Sequence, residues 1–296
     1  MTDKQWLMRF AVIATVVTAA FSSIGATHAA ELVRFNSAGT PPTPFQIMRA
    51  KAKGEVAKAK PGDEITGTLR LPDGKGPFPA IVLSHGCRGV LPFIQDWAEY
   101  ISENGAATLV VNSFTTRGLD DECNNIHGSR DQSSDAYGAL EYLAGQENID
   151  PNRLGLIGWG QSPVTGMMEE GGIERFFPIK FQAAVGLYVD CGYFTEGKVY
   201  APTLLIIAGK DDWVKQGRCA NSVDAGRSVG SPISKIEYPD TRHSFDDPAT
   251  GNELQLDVQN PYRNPPMGAT LGYDAGAHKD ARQQVWRFLA GHLAIR

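Results

Sequence analysis

Five short apolar runs constrain this chain more than any other feature. They are Pro79 to Leu83, Ala106 to Val111 (broken only by Thr108), Leu154 to Ile157, Ala183 to Val189 and Leu204 to Ala208. Such a run is too short for a buried helix and has no alternating polar face, so it reads as a strand covered on both sides. The stretches between the runs have helical spacing. Asp96 to Asn104 puts Trp97, Tyr100 and Ile101 on one face, and Ser133 to Leu143 does so with Ala136, Leu140 and Leu143. Asp280 to Ile295 carries Val285, Phe288, Leu289 and Leu293 at the same period. Alternating buried strands and amphipathic helices predict an α/β fold with a mostly parallel central sheet flanked by helices. Ile65 to Leu71 alternates as a further strand and ends in the turn signal Pro72-Asp73-Gly74.

The chain has 296 residues, room for one large domain. Its 28 Lys plus Arg against 33 Asp plus Glu leave a net charge of −5 with no long basic run, which argues against a nucleic-acid partner. Lys4 and Arg9 precede an apolar stretch from Phe10 to Phe21, followed by small and polar residues to Ala30. This is the shape of a signal peptide over residues 1–30, and the apolar stretch is short of the roughly 20 residues a membrane span needs. The expectation is an exported protein, periplasmic or secreted, with no stable membrane span. Residues 31–62 are weakly periodic and read as an N-terminal extension; residues 63–296 read as the folded domain. Export also bears on Cys87, Cys123, Cys191 and Cys219: no C-x-x-C pair suggests a metal, and four cysteines in an oxidising compartment allow two disulfides in three connectivities. The alternative is four buried thiols.

In a parallel sheet, ligands bind beyond the carboxyl ends of the strands, and four motifs fall there. Ser84-His85-Gly86-Cys87 follows the first run, with His85 read as a structural residue of its turn. Gly158-Trp159-Gly160-Gln161-Ser162 follows the third and has the small-x-nucleophile-x-small form of a nucleophile elbow. Its central residue, Gly160, has no nucleophile. Thr203 to Gly209 leads into Lys210-Asp211-Asp212, where Asp211, or alternatively Asp212, is placed to orient a histidine. The strand-like Ile233 to Tyr238 leads to His243 on a loop. Nucleophile position, acid and histidine stand in hydrolase order. Trp159, Trp213, Phe114 and Phe245 lie near these turns as pocket or core residues. Arg88 and Arg117 are candidates for binding a substrate carboxylate, unless Arg117 pairs with an acidic neighbour such as Asp120 or Asp121. Gly251 to Gly272, with three prolines, reads as a long loop over the surface or the site.

These residues together resemble the dienelactone hydrolase family of α/β-hydrolases, in particular its exported members. The resemblance runs from about residue 63 to the C-terminus. It is carried by Pro79 to Gly89, Val111 to Phe114, Arg117-Gly118, Cys123, Arg130 with Asp135-Ala136, and the degenerate elbow. It continues through Asp211-Asp212-Trp213, His243-Ser244-Phe245 and Tyr273-Asp274 with Ala277, Asp280 and Ala281. It implies the α/β-hydrolase fold, hydrolysis of a small-molecule ester or lactone, and no cofactor or metal. It also implies Asp211 as acid, His243 as base, the N–H groups of Cys87 and Gln161 as oxyanion donors, and pairings Cys87–Cys123 and Cys191–Cys219. The departure is Gly160, where the family has its nucleophile. Ser162 is a substitute candidate, though two residues of helix turn it about 200° away. Alternatively His243 and Asp211 activate water, or the chain is a catalytically inactive binding protein on the same scaffold.

Overall fold

The computed structural model describes residues 30–39, 42–58, 60–124, 130–192 and 194–295. The expected signal peptide, save Ala30, lies outside these residues, as do His28, His127 and the side chain of Arg130. The apolar runs form β3 (Phe78–Ser84), β4 (Ala107–Asn112), β5 (Ile149–Trp159), β6 (Ala183–Leu187) and β7 (Thr203–Ala208). With β1 (Glu31–Asn36), β2 (Glu64–Arg70) and β8 (Ile233–Tyr238) they make an eight-stranded sheet in the order β1-β2-β4-β3-β5-β6-β7-β8. The pairings β1·β2 and β2·β4 are antiparallel and the rest are parallel. The extension at 31–62 thus contributes β1 to the sheet edge, where Val33 and Phe35 face inward and Leu32 and Arg34 face outward.

Successive residues of the central strands feed opposite layers. Ala80, Val82, Leu205 and Ile207 pack with α3 (Arg130–Ala144), through Tyr137 and Leu140, and with α5 (Gln216–Ser228), through Val223. Ile81, Leu83, Leu204 and Ile206 pack with α2 (Pro92–Glu103), through Trp97 and Ile101, and with α6 (Ala275–His292), through Val285 and Leu289. Full burial on both faces is why these strands read as continuous apolar runs. The connection from β3 to β4 carries α2 on one face and that from β4 to β5 carries α3 on the other. A crevice opens where strand order reverses about β3.

Two outcomes differ from the sequence expectation. The segment Gly251 to Gly272 is a β-hairpin, β9 (Glu253–Gln259) paired antiparallel with β10 (Met267–Leu271), rather than a loop. Its three prolines sit at or next to the tip, where no ladder N–H is lost. Arg117 pairs with neither Asp120 nor Asp121. Its guanidinium grips buried Asp135 with two bonds of 2.7 and 2.8 Å and reaches Asp63 at 3.1 Å, so it fastens the loop after β4 to α3 and to the segment before β2. These carboxylates hold its pKa above the ordinary arginine value.

The cysteines form two disulfides, Cys87–Cys123 and Cys191–Cys219, spanning 36 and 28 residues. By the loss of chain entropy in the unfolded state each contributes about 3–4 kcal/mol. Reduction is therefore expected to lower the urea midpoint of unfolding sharply, read by fluorescence with and without a thiol reductant. An unchanged midpoint would mean that the bridges add nothing to stability.

Candidate active site

The four motifs meet at the carboxyl edge of the sheet. After β5 the chain turns sharply: Ser162 N–H donates to Trp159 O at 2.9 Å, and Gly160 N–H donates to Leu187 O of β6 at 3.1 Å. Gly160 has φ +55°, the left-handed region that glycine enters at little cost. A side chain on Gly158 would collide with Ser162 and Val164, so the elbow needs a residue without one there to let the following helix close on the strand. A Cβ built on Gly160 meets only the imidazole of His243, Nε2 at 3.2 Å and Cε1 at 3.6 Å. A side chain at position 160 would therefore point straight at the histidine.

His243 stands on the loop after β8. Its backbone bridges to Leu271 of β10, and its carbonyl accepts from Gly272 N–H at 3.1 Å. Its Nδ1 lies 2.8 Å from Asp211 Oδ2, and both side chains are buried. Asp211 sits beyond β7 and its other oxygen accepts from the N–H groups of Trp213 and Val214 at 2.9 and 3.1 Å. The carboxylate is thus fixed, and it assigns the imidazole proton to Nδ1, leaving the Nε2 lone pair facing Gly160. The rings of Tyr188 and Trp213 flank the imidazole with centroids 4.6 and 4.8 Å away. Asp212 is not an alternative partner of the histidine. It accepts from Thr270 N and Oγ1 at 2.8 Å each and from Arg263, anchoring the hairpin. Burial opposes its ionisation, but these bonds prevail and hold its pKa below the ordinary value.

A small cleft is lined by Cys87, Gly160, Gln161 and His243 together, with Leu91, Phe93 and Leu271 among its apolar walls. Among the described residues the N–H groups of Cys87 and Gln161 donate to no protein acceptor. The loop bearing Cys87 is drawn onto the elbow, since a Cβ on Gly86 would lie 3.2 Å from Trp159 O. Arg88 also lines the cleft, 3.8 Å from Asp257. Ser162 is not brought to the histidine: it is buried, its hydroxyl donates to Ser84 Oγ at 2.9 Å, and it lines a second cavity beyond Gln161. His85 is a turn residue. Its Nδ1 faces Gly86 O at 2.7 Å, Ser113 N–H donates to its Nε2 at 3.2 Å, and burial lowers its pKa. Phe114 packs against His85, and Phe245 lies in the core beneath Tyr188.

One part of this region escaped the sequence reading. Asp246, three residues past the histidine, is completely buried. One oxygen accepts from the indole N–H groups of Trp97 and Trp159 at 2.9 Å each, and the other accepts from Tyr188 O–H at 2.6 Å. The carboxylate thereby ties α2, the residue before Gly160, and the ring beside His243 to the histidine loop. Burial raises its pKa and the three donors oppose that rise. The one available signal was the Asp246-Asp247 pair directly after His243-Ser244-Phe245.

No protein-family model and no curated protein matches the chain. Solved structures do. A dienelactone hydrolase of Anabaena variabilis is 20% identical with a TM-score of 0.53, over 79% of this chain and 94% of that one. A dienelactone hydrolase-like promiscuous phosphotriesterase from metagenomic libraries is 17% identical with a TM-score of 0.56, over 77% and 93%. An esterase of the planctomycete Thermogutta terrifontis is 13% identical with a TM-score of 0.55, over 77% and 90%. With the strand order and the elbow described above, these likenesses identify the architecture as the α/β-hydrolase fold.

Proposed function

We propose that this protein is a dienelactone hydrolase-like hydrolase of small carboxylic esters or lactones, working through His243 and Asp211 at an elbow without a side-chain nucleophile. The observation that carries the reading is the Nδ1–Asp211 contact at 2.8 Å, with Nε2 facing Gly160 in a cleft that also holds Cys87 and Gln161. His243 draws a proton from water, Asp211 holds the imidazole in the required tautomer, and the Cys87 and Gln161 N–H groups receive the developing oxyanion. No step of this scheme requires a metal or cofactor. General-base assistance gives about 10²–10⁴-fold, so turnover is slow by the standard of a complete triad. The two disulfides fit the oxidising compartment of an exported protein.

Hydrolysis of 4-nitrophenyl acetate and butyrate by the purified chain, beside His243→Ala, tests the reading. The expected result is an esterase rate that falls about 10²-fold or more in the variant. Equal rates in the two would remove His243 from the chemistry.

A second reading has its own observation. Gly160 sits at φ +55°, where any other residue is strained by about 1–3 kcal/mol, so glycine relieves the strain that an elbow nucleophile bears. That is the state expected of a catalytically inactive binding protein that kept its cleft. Equal background rates together with saturable binding of an ester or its carboxylate product would support it.

A further inference from the structure

Among the described residues that line the cleft, one nucleophilic atom is free and faces the space that a side chain at position 160 would fill. Among the described residues His243 Nε2 has no hydrogen-bond partner, and its proton-bearing Nδ1 is turned to Asp211. The other hydroxyls of the cleft are committed elsewhere. Thr250 donates to Asp247 at 3.1 Å, Ser244 is bonded to Tyr188, and Tyr188 donates to Asp246. A Cβ on Gly160 would meet only the imidazole beyond its own chain neighbours, with Nε2 at 3.2 Å, so the space that a side chain would fill borders Nε2. Tyr188 and Trp213 pack tilted against the imidazole, with ring centroids 4.6 and 4.8 Å away.

We propose that His243 is itself the nucleophile toward esters of weakly basic leaving groups, such as phenols and enols. This inference rests on the ester-hydrolase reading and names its first step for that substrate class. The Nε2 lone pair forms a bond to the carbonyl carbon, and the carbonyl π pair moves onto oxygen beside the Cys87 and Gln161 N–H groups. The tetrahedral adduct collapses, the bond to the leaving oxygen breaks, and the phenolate or enolate departs. What remains is an N-acylimidazolium whose Nδ1–H is held by the Asp211 carboxylate. Water then adds to the acyl carbon and releases a proton to solvent, the carbon–nitrogen bond breaks, and the carboxylic acid leaves with His243 restored as the neutral imidazole. One water is consumed for each ester cleaved. Histidine is an established covalent catalyst of this kind, and the route opens here because no side chain at position 160 stands between base and substrate. Alkyl esters, whose leaving groups are more basic than imidazole, return the adduct to substrate and are left to the water route.

Rapid mixing of the full chain with 4-nitrophenyl acetate, then acid quench and peptide mapping, tests the proposal. 4-Nitrophenyl trimethylacetate runs in parallel, because its hindered acyl group slows the hydrolysis of the adduct. The expected result is a burst of about one 4-nitrophenolate per chain, with the acyl mass on His243 and its capture by hydroxylamine as a hydroxamate. His243→Gln, with its fold checked by circular dichroism, is expected to lose the burst. In Gly160→Ser the acyl mass should move to position 160. Turnover without burst or adduct for either ester, with a solvent deuterium isotope effect, would overturn the proposal and leave the water mechanism standing. A burst that survives in His243→Gln would overturn it as well. No release above the His243→Gln background would overturn both readings.

Discussion

Gly160→Ser is expected to raise ester hydrolysis by roughly 10²–10⁴-fold over the unaltered chain, with the gain lost again in a Gly160→Ser, His243→Ala double variant. The argument is geometric. A Cβ at this position faces only the imidazole, with Nε2 at 3.2 Å, so a hydroxyl one bond further has the base as its neighbour. That separation is tight, and the imidazole must yield by a few tenths of an ångström. The contact of its Nδ1 with Asp211 must then adjust with the ring. The same substitution forces a non-glycine residue to φ +55° and should lower stability by about 1–3 kcal/mol. Rate and urea midpoint are therefore expected to move in opposite directions. A folded Gly160→Ser protein with no gain in rate would show that the cleft no longer accepts an ester in a reactive pose.

Burial on both faces leaves an unmistakable trace, so β3 to β7 were legible as runs, and the order Gly160, Asp211, His243 followed from where those runs end. The histidine–aspartate contact was legible for the same reason. β1 was not, because only Val33 and Phe35 of its six residues are buried and two inward residues make no period. The hairpin at 253–271 was hidden differently. Glu253 to Gln259 alternates, but of Leu254, Leu256 and Val258 only Val258 is buried, and the prolines of the tip dominated the local signal. The choice between Asp211 and Asp212 was open in the sequence because both follow the same strand. It is closed by the hairpin, which takes Asp212 through Thr270 and Arg263. No local pattern announces the burial of Asp246 either, because its partners lie 149, 87 and 58 residues away.

Asp246 is the residue where the largest loss of stability is expected. Asp246→Ala removes the shared acceptor of two indole N–H groups and one phenol, all in the core, and opens a void beside them. Each orphaned buried donor costs about 1–3 kcal/mol, and here three are orphaned together. Asp246→Asn separates the acceptor role from the charge. Its amide oxygen still receives the two indoles, its NH₂ donates to the Tyr188 oxygen, and the penalty of burying a carboxylate is gone. The pH dependence gives the sign. Burial raises the folded pKa of Asp246 above its unfolded value, so its contribution is fully present below the unfolded pKa and is lost as pH rises through the folded one. The deficit of Asp246→Asn relative to the unaltered chain should accordingly shrink as pH rises from the acid side to neutrality, while that of Asp246→Ala stays large throughout. Urea unfolding at pH 4 and pH 7 measures both. A pH-independent difference between the unaltered chain and Asp246→Asn would mean that the carboxylate titrates as it does in the unfolded chain. The three bonds would then compensate its burial, and the cluster would be held by hydrogen bonding with no residual penalty for the charge.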